Sequence, residues 1–229
     1  MSNYVISFSK NGFIKYTSHL DMLRLFKRAF RRSGIVLTYS QGFNPHPKMG
    51  FAQPLSLGYS AREELLEFES EVEYQKDAFI KAIGPSLPAG IAVNGFGKSH
   101  HKKSLAARVS SADYTVIFPV PFYSKDFEKD LEEYLKQETI LAPKRRKKDK
   151  KIVDVDIRGK IIGASVQPDA GHGHLQLDLR LDCGSQSNLS PELVIITFSE
   201  FAGLGCERYK IEVCRNKMSF QLDPEIEWM

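Results

Sequence analysis

Short runs rich in β-branched and aromatic residues alternate along this chain with stretches of helical periodicity, and the same order occurs twice. That recurrence narrows the possible folds more than any composition figure does. Residues 4–8 (YVISF) have strand composition. A turn at Asn11-Gly12 and a short extended piece over 13–17 come next. Ser18-x-x-Asp21 then has the form of a helix-capping pair, whose side-chain oxygens take up the free N–H groups of a first turn. The helix is expected over 18–32, with its stop at Ser33-Gly34. Strands are expected at 35–39, 49–57 and 65–72, a helix at 77–83 and a strand at 91–96.

The order then repeats. Residues 114–120 read as a strand and 124–137 as a helix with Phe127, Leu131, Tyr134 and Leu135 on one face. Strands over 152–166 and 175–181 follow, then a helix opened by Ser190-Pro191 and a closing strand at 209–214. The second half is βαββαβ and the first is the same with an extra strand or hairpin, so the fold class expected is α+β, two ferredoxin-like βαββαβ domains in tandem. The expected domains are 1–108 and 112–222, joined by a polar connection; the segment 223–229 carries no clear signal.

No apolar run approaches the roughly 18–20 residues a membrane-crossing helix needs, and the N-terminus lacks a signal-peptide layout. Cys183, Cys206 and Cys214 are odd in number and widely spaced, as expected of reduced thiols in a cytoplasmic protein. They form no cluster-binding motif, so the chain is expected to bind no cofactor or metal itself. His100-His101 and His172-x-His174 have no accompanying ligands at metal spacing and read as solvated turns.

Charge is concentrated. The segment 144–151 (KRRKKDKK) holds seven basic residues and one acid in a chain of net charge +4, so the remainder is slightly acidic. A second concentration lies on helix 18–32, where Arg24, Lys27, Arg28, Arg31 and Arg32 fall within about 140° of arc opposite Met22, Leu23, Phe26, Ala29 and Phe30. Ordinary solvated faces interleave acids, because like charges four residues apart repel. An unbroken ladder of cations suits phosphate contact. The loop after it, 39–48 (YSQGFNPHPK), combines stacking rings, Tyr39 and Phe43, with base-reading groups, Gln41 and Asn44, and with His46 and Lys48 between stiffening prolines. In the basic segment, Lys144, Arg145, Arg146, Lys147 and Lys148 complete the expected RNA-binding set, in a stretch expected to be disordered until it meets a polyanion.

The strings YTSHLD (16–21), Leu23-x-x-Phe26-x-Arg28-x-x-Arg31-x-x-Gly34 and YSQGFNPHPK resemble an uncharacterised bacterial family of radical-SAM-associated proteins. The likeness is densest over 4–70, with weaker agreement at 153–158 (VDVDIR) and 189–192 (LSPE). It implies a radical-SAM partner that carries an iron–sulfur cluster and S-adenosylmethionine, and a substrate that is RNA or ribosome-associated RNA. The expected function is therefore an RNA- or ribonucleoprotein-binding accessory protein that presents substrate to that partner. Two other readings stay open. One is a metal-independent RNA endonuclease using His46 with Lys48, Tyr39 and His19; the tandem plan is similar to that of CRISPR RNA-processing endonucleases. The other is a protein-interaction module without nucleic acid.

Overall fold

Alternation of apolar and polar residues lays down most of the strands, and capping side chains set the helix starts. In chain order the elements are β1 (Ser2–Lys10), α1 (His19–Arg32), β2 (Met49–Phe51), β3 (Ser60–Ser70), α2 (Lys76–Ile83), β4 (Ile91–Ser99), β5 (Val109–Pro119), α3 (Phe127–Lys136), β6 (Leu141–Arg145), β7 (Ile152–Asp156), β8 (Ile161–Asp169), β9 (His174–Asp182), α4 (Pro191–Ala202), β10 (Glu212–Phe220) and β11 (Ile226–Trp228). The structure, a computed structural model, describes residues 2–101, 103–119, 126–146, 148–169, 173–221 and 225–229. The fold is mixed α+β with antiparallel strand pairing. Two compact units are formed, one from 1–110 with 215–229 and one from 111–214. The sequence expectation kept residues up to 222 in the second domain. Instead the chain from Arg215 onward groups with the first, because β10 lies beside β3 and β11 pairs with β4.

In the first unit β1 is central, antiparallel to β3 on one side and β4 on the other, with β2 on the far side of β3. Tyr4, Ile6 and Phe8 alternate along β1 and share one buried cluster with Phe26 and Phe30 of α1 and Phe79 of α2. Tyr4 stacks on Phe96 at 5.2 Å between ring centres, and Phe96 on Phe79 at 4.0 Å. Burial of such rings contributes roughly 1.5–3 kcal/mol each, which is what holds two helices on this sheet. In the second unit β9 lies between β5 and β8. Its Leu175, Leu177, Leu179 and Leu181 are all buried, as the alternation LQLDLRL requires. Helices α3 and α4 meet where the Tyr134 and Thr197 hydroxyls hydrogen-bond at 2.7 Å and Tyr134 packs edge-on to Phe198.

The closing strand expected at 209–214 instead follows a 3-10 turn at Arg208–Lys210 and runs from Glu212 to Phe220. Local expectations fail in five further places, each for a visible reason. Residues 13–17 are not extended: Gly12–Tyr16 is a 3-10 turn, held by Thr17 N–H donating to the Ile14 carbonyl. No strand forms over 35–39. Thr38 N–H donates to the Glu69 carbonyl and its carbonyl accepts from Lys48 N–H, and Tyr39 bridges Pro47, but prolines at 45 and 47 lack the donors that would extend these bonds into a ladder. The strand expected to run to 57 stops at Phe51, short of Pro54. The long strand over 152–166 is broken into β7 and β8, because the Asp156 carboxylate accepts from the Ile140 and Arg158 N–H groups and turns the chain there. Last, the basic segment is not a disordered tract. Lys144 and Arg145 close β6, which pairs with β7 in a hairpin, and Arg146 N–H donates to the Lys151 carbonyl at 2.8 Å. Lys150 takes the left-handed conformation the turn requires. Among the described residues, no helix is long and apolar enough to cross a membrane.

Candidate nucleic-acid interface

Helix α1 begins as its sequence specifies. The Ser18 hydroxyl oxygen accepts from Asp21 N–H at 3.2 Å, and its hydrogen goes to the Asp21 carboxylate at 2.7 Å. Asp21 also accepts from Arg24 at 2.8 Å. The Ser18 hydroxyl, then Arg24, hold the Asp21 carboxyl below its ordinary range. Met22, Phe26, Ala29 and Phe30 are buried, while Arg24, Lys27, Arg28, Arg31 and Arg32 are exposed. The helix ends at Gly34, whose φ of +71° lets the Ile35 N–H return to the Phe30 carbonyl.

The five cations divide between two flanks. Arg24, Arg28 and Arg32 line an open depression of about 710 Å³ with Thr17 and residues 85–88, where Arg32 donates to the Ser86 carbonyl. Lys27 and Arg31 line another, of about 450 Å³, with Val36, Leu37 and Tyr39. Arg24 is the one partly neutralised, by Asp21. Among the described residues, Lys27, Arg28 and Arg31 form no ion pair.

The loop 39–48 is closed on itself. Ser40 N–H donates to the His46 carbonyl at 2.8 Å, and His46 N–H to the Ser40 hydroxyl at 3.0 Å. Gly42 takes a φ of +130° at its tip, and Phe43 beside it is wholly solvent-exposed. Gln41, Asn44 and His46 are exposed as well. Of the loop's expected site residues, Tyr39 shares a depression with the helix cations. Lys48 does not: its ammonium is paired with Glu69 at 2.6 Å and lines a separate hollow with His101 and Lys103. In the second unit, Lys144, Arg145, Arg146 and Lys148 are exposed on the β6–β7 hairpin, and Arg146 pairs with Asp149 at 3.3 Å. Lys147 and His172 lie outside the described residues. His100 hydrogen-bonds Glu227 at 3.0 Å, and among the described residues no group of three or more His, Cys, Asp or Glu side chains gathers at ligand distance.

His19 keeps other company than His46. It packs against Phe51 and borders a cavity of about 20 Å³ lined also by Phe8, Lys10, Gln53 and Glu64. That volume admits about one water, so the cavity is not a substrate pocket. Beside it lies a buried set of charges that sequence reading does not find. Arg215 of β10, 1% exposed, grips Glu64 of β3 through both ends of its fork, with Nε to Oε1 at 2.7 Å. It donates further to the Gln53 carbonyl at 2.8 Å. Lys10 donates to the Thr17 carbonyl at 3.0 Å and the Lys15 carbonyl at 3.2 Å, tying down the turn that leads into α1. Burial lowers the Lys10 pKa, Glu64 opposes that, and Arg215 adds to it. No local motif marks this group, since Glu64 and Arg215 are 151 positions apart.

Burial also lowers the His19 pKa, with Glu64 pulling the other way. His19 is therefore expected to titrate below 6.5 when the imidazole protons are followed by NMR. Its folded value lies under its unfolded one, so its contribution to stability is complete above about 6.5 and is lost as pH falls through the folded pKa. A midpoint at or above 6.5 contradicts the packing against Phe51.

Three comparisons bear on kinship. One solved structure, "Crystal Structure of a Cbf5-Nop10-Gar1 Complex", is similar in fold, with a TM-score of 0.52 over 94% of this chain and 48% of that one. Identity is 11%, so the likeness is one of fold, and this chain spans about half the length of that neighbour. No curated protein matches. A family model described as "Uncharacterized protein conserved in bacteria (DUF2344)" matches residues 3–191. That span takes in α1, the 39–48 loop and the basic hairpin alike, and the chain belongs to this conserved bacterial family.

Proposed function

We propose that this protein is an RNA- or ribonucleoprotein-binding accessory subunit, with α1 and its two flanking depressions as the contact surface. The observation that carries the reading is the charge state of α1. Among the described residues Lys27, Arg28 and Arg31 stand exposed with no ion pair; Asp21 relieves Arg24 and, less directly, Arg28, while the like charges of Lys27 and Arg31, four residues apart, are left facing each other. A helix that keeps such repulsion unrelieved is matched to an external polyanion, and arginine forks fit phosphate oxygens. Tyr39 beside Lys27 and Arg31 adds a ring for base stacking.

Each unit is, in this proposal, a ferredoxin-like module, and the first has the strand order β4-β1-β3-β2 in support. The resemblance of the YSQGFNPHPK loop extends the proposal to a radical-SAM partner, which would supply the iron–sulfur cluster and S-adenosylmethionine, in the cytoplasm. The nuclease alternative has less support, because Lys48, its phosphate-binding cation, is taken up by Glu69. Titration of the protein with a fluorescent RNA that carries unpaired segments, at several salt concentrations, tests the reading. With three to five phosphates contacted, log affinity should fall against log salt with a slope of about −2 to −3.5 for unpaired RNA. Absence of binding at low salt, or a flat salt profile, removes it.

A further inference from the structure

Building on that reading, we infer that the RNA is taken as a single strand, its phosphates on the α1 cations and its unstacked bases on the exposed rings of Phe13, Tyr16 and Phe43. Phe13 is 94% exposed, Tyr16 62%, and Phe43 entirely. Phe13 and Tyr16 are three residues apart in the 3-10 turn before α1, and that periodicity brings side chains i and i+3 to the same side. The turn itself is firmly braced. Asn11 N–H donates to the Gly90 carbonyl and Gly58 N–H to the Lys15 carbonyl, and the buried Lys10 ammonium holds the Lys15 and Thr17 carbonyls. A side chain at Gly90 would lie 2.3 Å from the Asn11 carbonyl oxygen, so the approach is as close as backbone permits.

Phe13 is left in water, and Tyr16 is covered in part, with the Lys15 ammonium 5.4 Å from its ring centre; a rigid mount that leaves rings this open serves an external contact. Its next residue, Thr17, lines the depression that holds Arg24, Arg28 and Arg32, so the turn that carries the rings leads directly into the head of the cation row. Beyond the other end of α1, the closed 39–48 loop presents Phe43. A duplex hides its base faces and offers phosphates alone, which would leave these rings without a use. Exposed rings before and after a row of cations match the chemistry of an unpaired strand. A protein segment is the rival occupant. It would need acidic and apolar groups together, whereas one strand of nucleic acid brings charge and ring faces at every residue.

The experiment uses the full chain and four probes: a labelled 12-nucleotide RNA, the same RNA annealed to its complement, the matching single-stranded DNA, and a hydrolysed casein acidic peptide mixture. The single-stranded RNA should bind at least tenfold more tightly than the duplex. Phe13→Ala, Tyr16→Ala and Phe43→Ala should each weaken single-strand binding about tenfold and leave duplex binding unchanged. All three rings are exposed, so unchanged thermal melting confirms that folding is intact. Equal affinity for single strand and duplex with no effect of the three variants overturns the single-strand inference and leaves the RNA reading standing. Single-stranded DNA bound as well as RNA upholds strand recognition by stacking but removes RNA as the distinguishing ligand. Binding of the acidic peptides alone, lost in Phe13→Ala, overturns both.

Discussion

Replacing Glu64 by Gln is expected to lower the unfolding free energy by about 3–5 kcal/mol, read as a shift in the midpoint of urea unfolding followed by circular dichroism. The magnitude follows from what is left behind. Arg215 is 1% exposed and Glu64 3% exposed, and removal of the Glu64 charge leaves the guanidinium buried without the carboxylate it grips through two bonds. Two cations, Lys10 and Arg215, would then share the interior with no carboxylate between them. Glu64 is what opposes the lowering of the Lys10 pKa, so in Glu64→Gln the Lys10 amine should drop further. Arg215→Ala is expected to be similarly damaging for the converse reason. It also strips donors from the Gln53 and Pro54 carbonyls. Replacing both members by Met should recover a large part of the loss, because an apolar pair of similar volume carries no desolvation penalty. A loss under about 1 kcal/mol for Glu64→Gln would mean that water reaches the pair, and the account of this core would be wrong.

The double substitution Arg28→Glu, Arg31→Glu is expected to reduce RNA affinity by about a hundredfold or more at 0.1 M salt and to make the salt slope shallower by about 1.4. Both side chains are exposed and, among the described residues, neither forms an ion pair; Asp21 acts on Arg28 only at longer range, so most of their charge is available outward. Folding should not suffer. The reversal places opposite charges four residues apart at 24/28, 28/32 and 27/31, turning mild repulsion into attraction of roughly 0.2–0.5 kcal/mol per pair. Affinity falls while the melting temperature holds or rises slightly, a combination that a merely structural role for these arginines does not produce. Arg24→Gln should do less, since Asp21 already takes up part of that charge. Unchanged RNA binding in the double variant would sink the helix-face reading.

Capping chemistry made α1 legible to within a residue. Ser18, Asp21 and Gly34 act on backbone groups within a turn of themselves, so their effect can be read locally. The same holds for Ser190 and Pro191 at α4, and for the leucine alternation of β9. Residues 35–39 misled because β-branched composition describes a side chain's preference, whereas a strand needs donors at successive positions of its neighbour; Lys48 supplies one to Thr38, and Pro45 and Pro47 interrupt the rest. The basic segment misled in the opposite direction. Its charge density suggests disorder, yet Ile152, Val153 and Val155 make a β7 capable of pairing, and register then orders Lys144 and Arg145.

The sequence alone determined the alternating α+β plan and the cation row of α1, because each depends on periodicity or on interactions within a few residues. Tertiary structure decided the rest. It split the cation row between two depressions, neutralised Lys48 with Glu69, gave His19 to a one-water cavity, and brought Arg215 back to Glu64. The reason is physical. A charge left in water is specified by its own side chain, whereas a charge buried or paired is specified by whichever distant strand supplies its counter-ion.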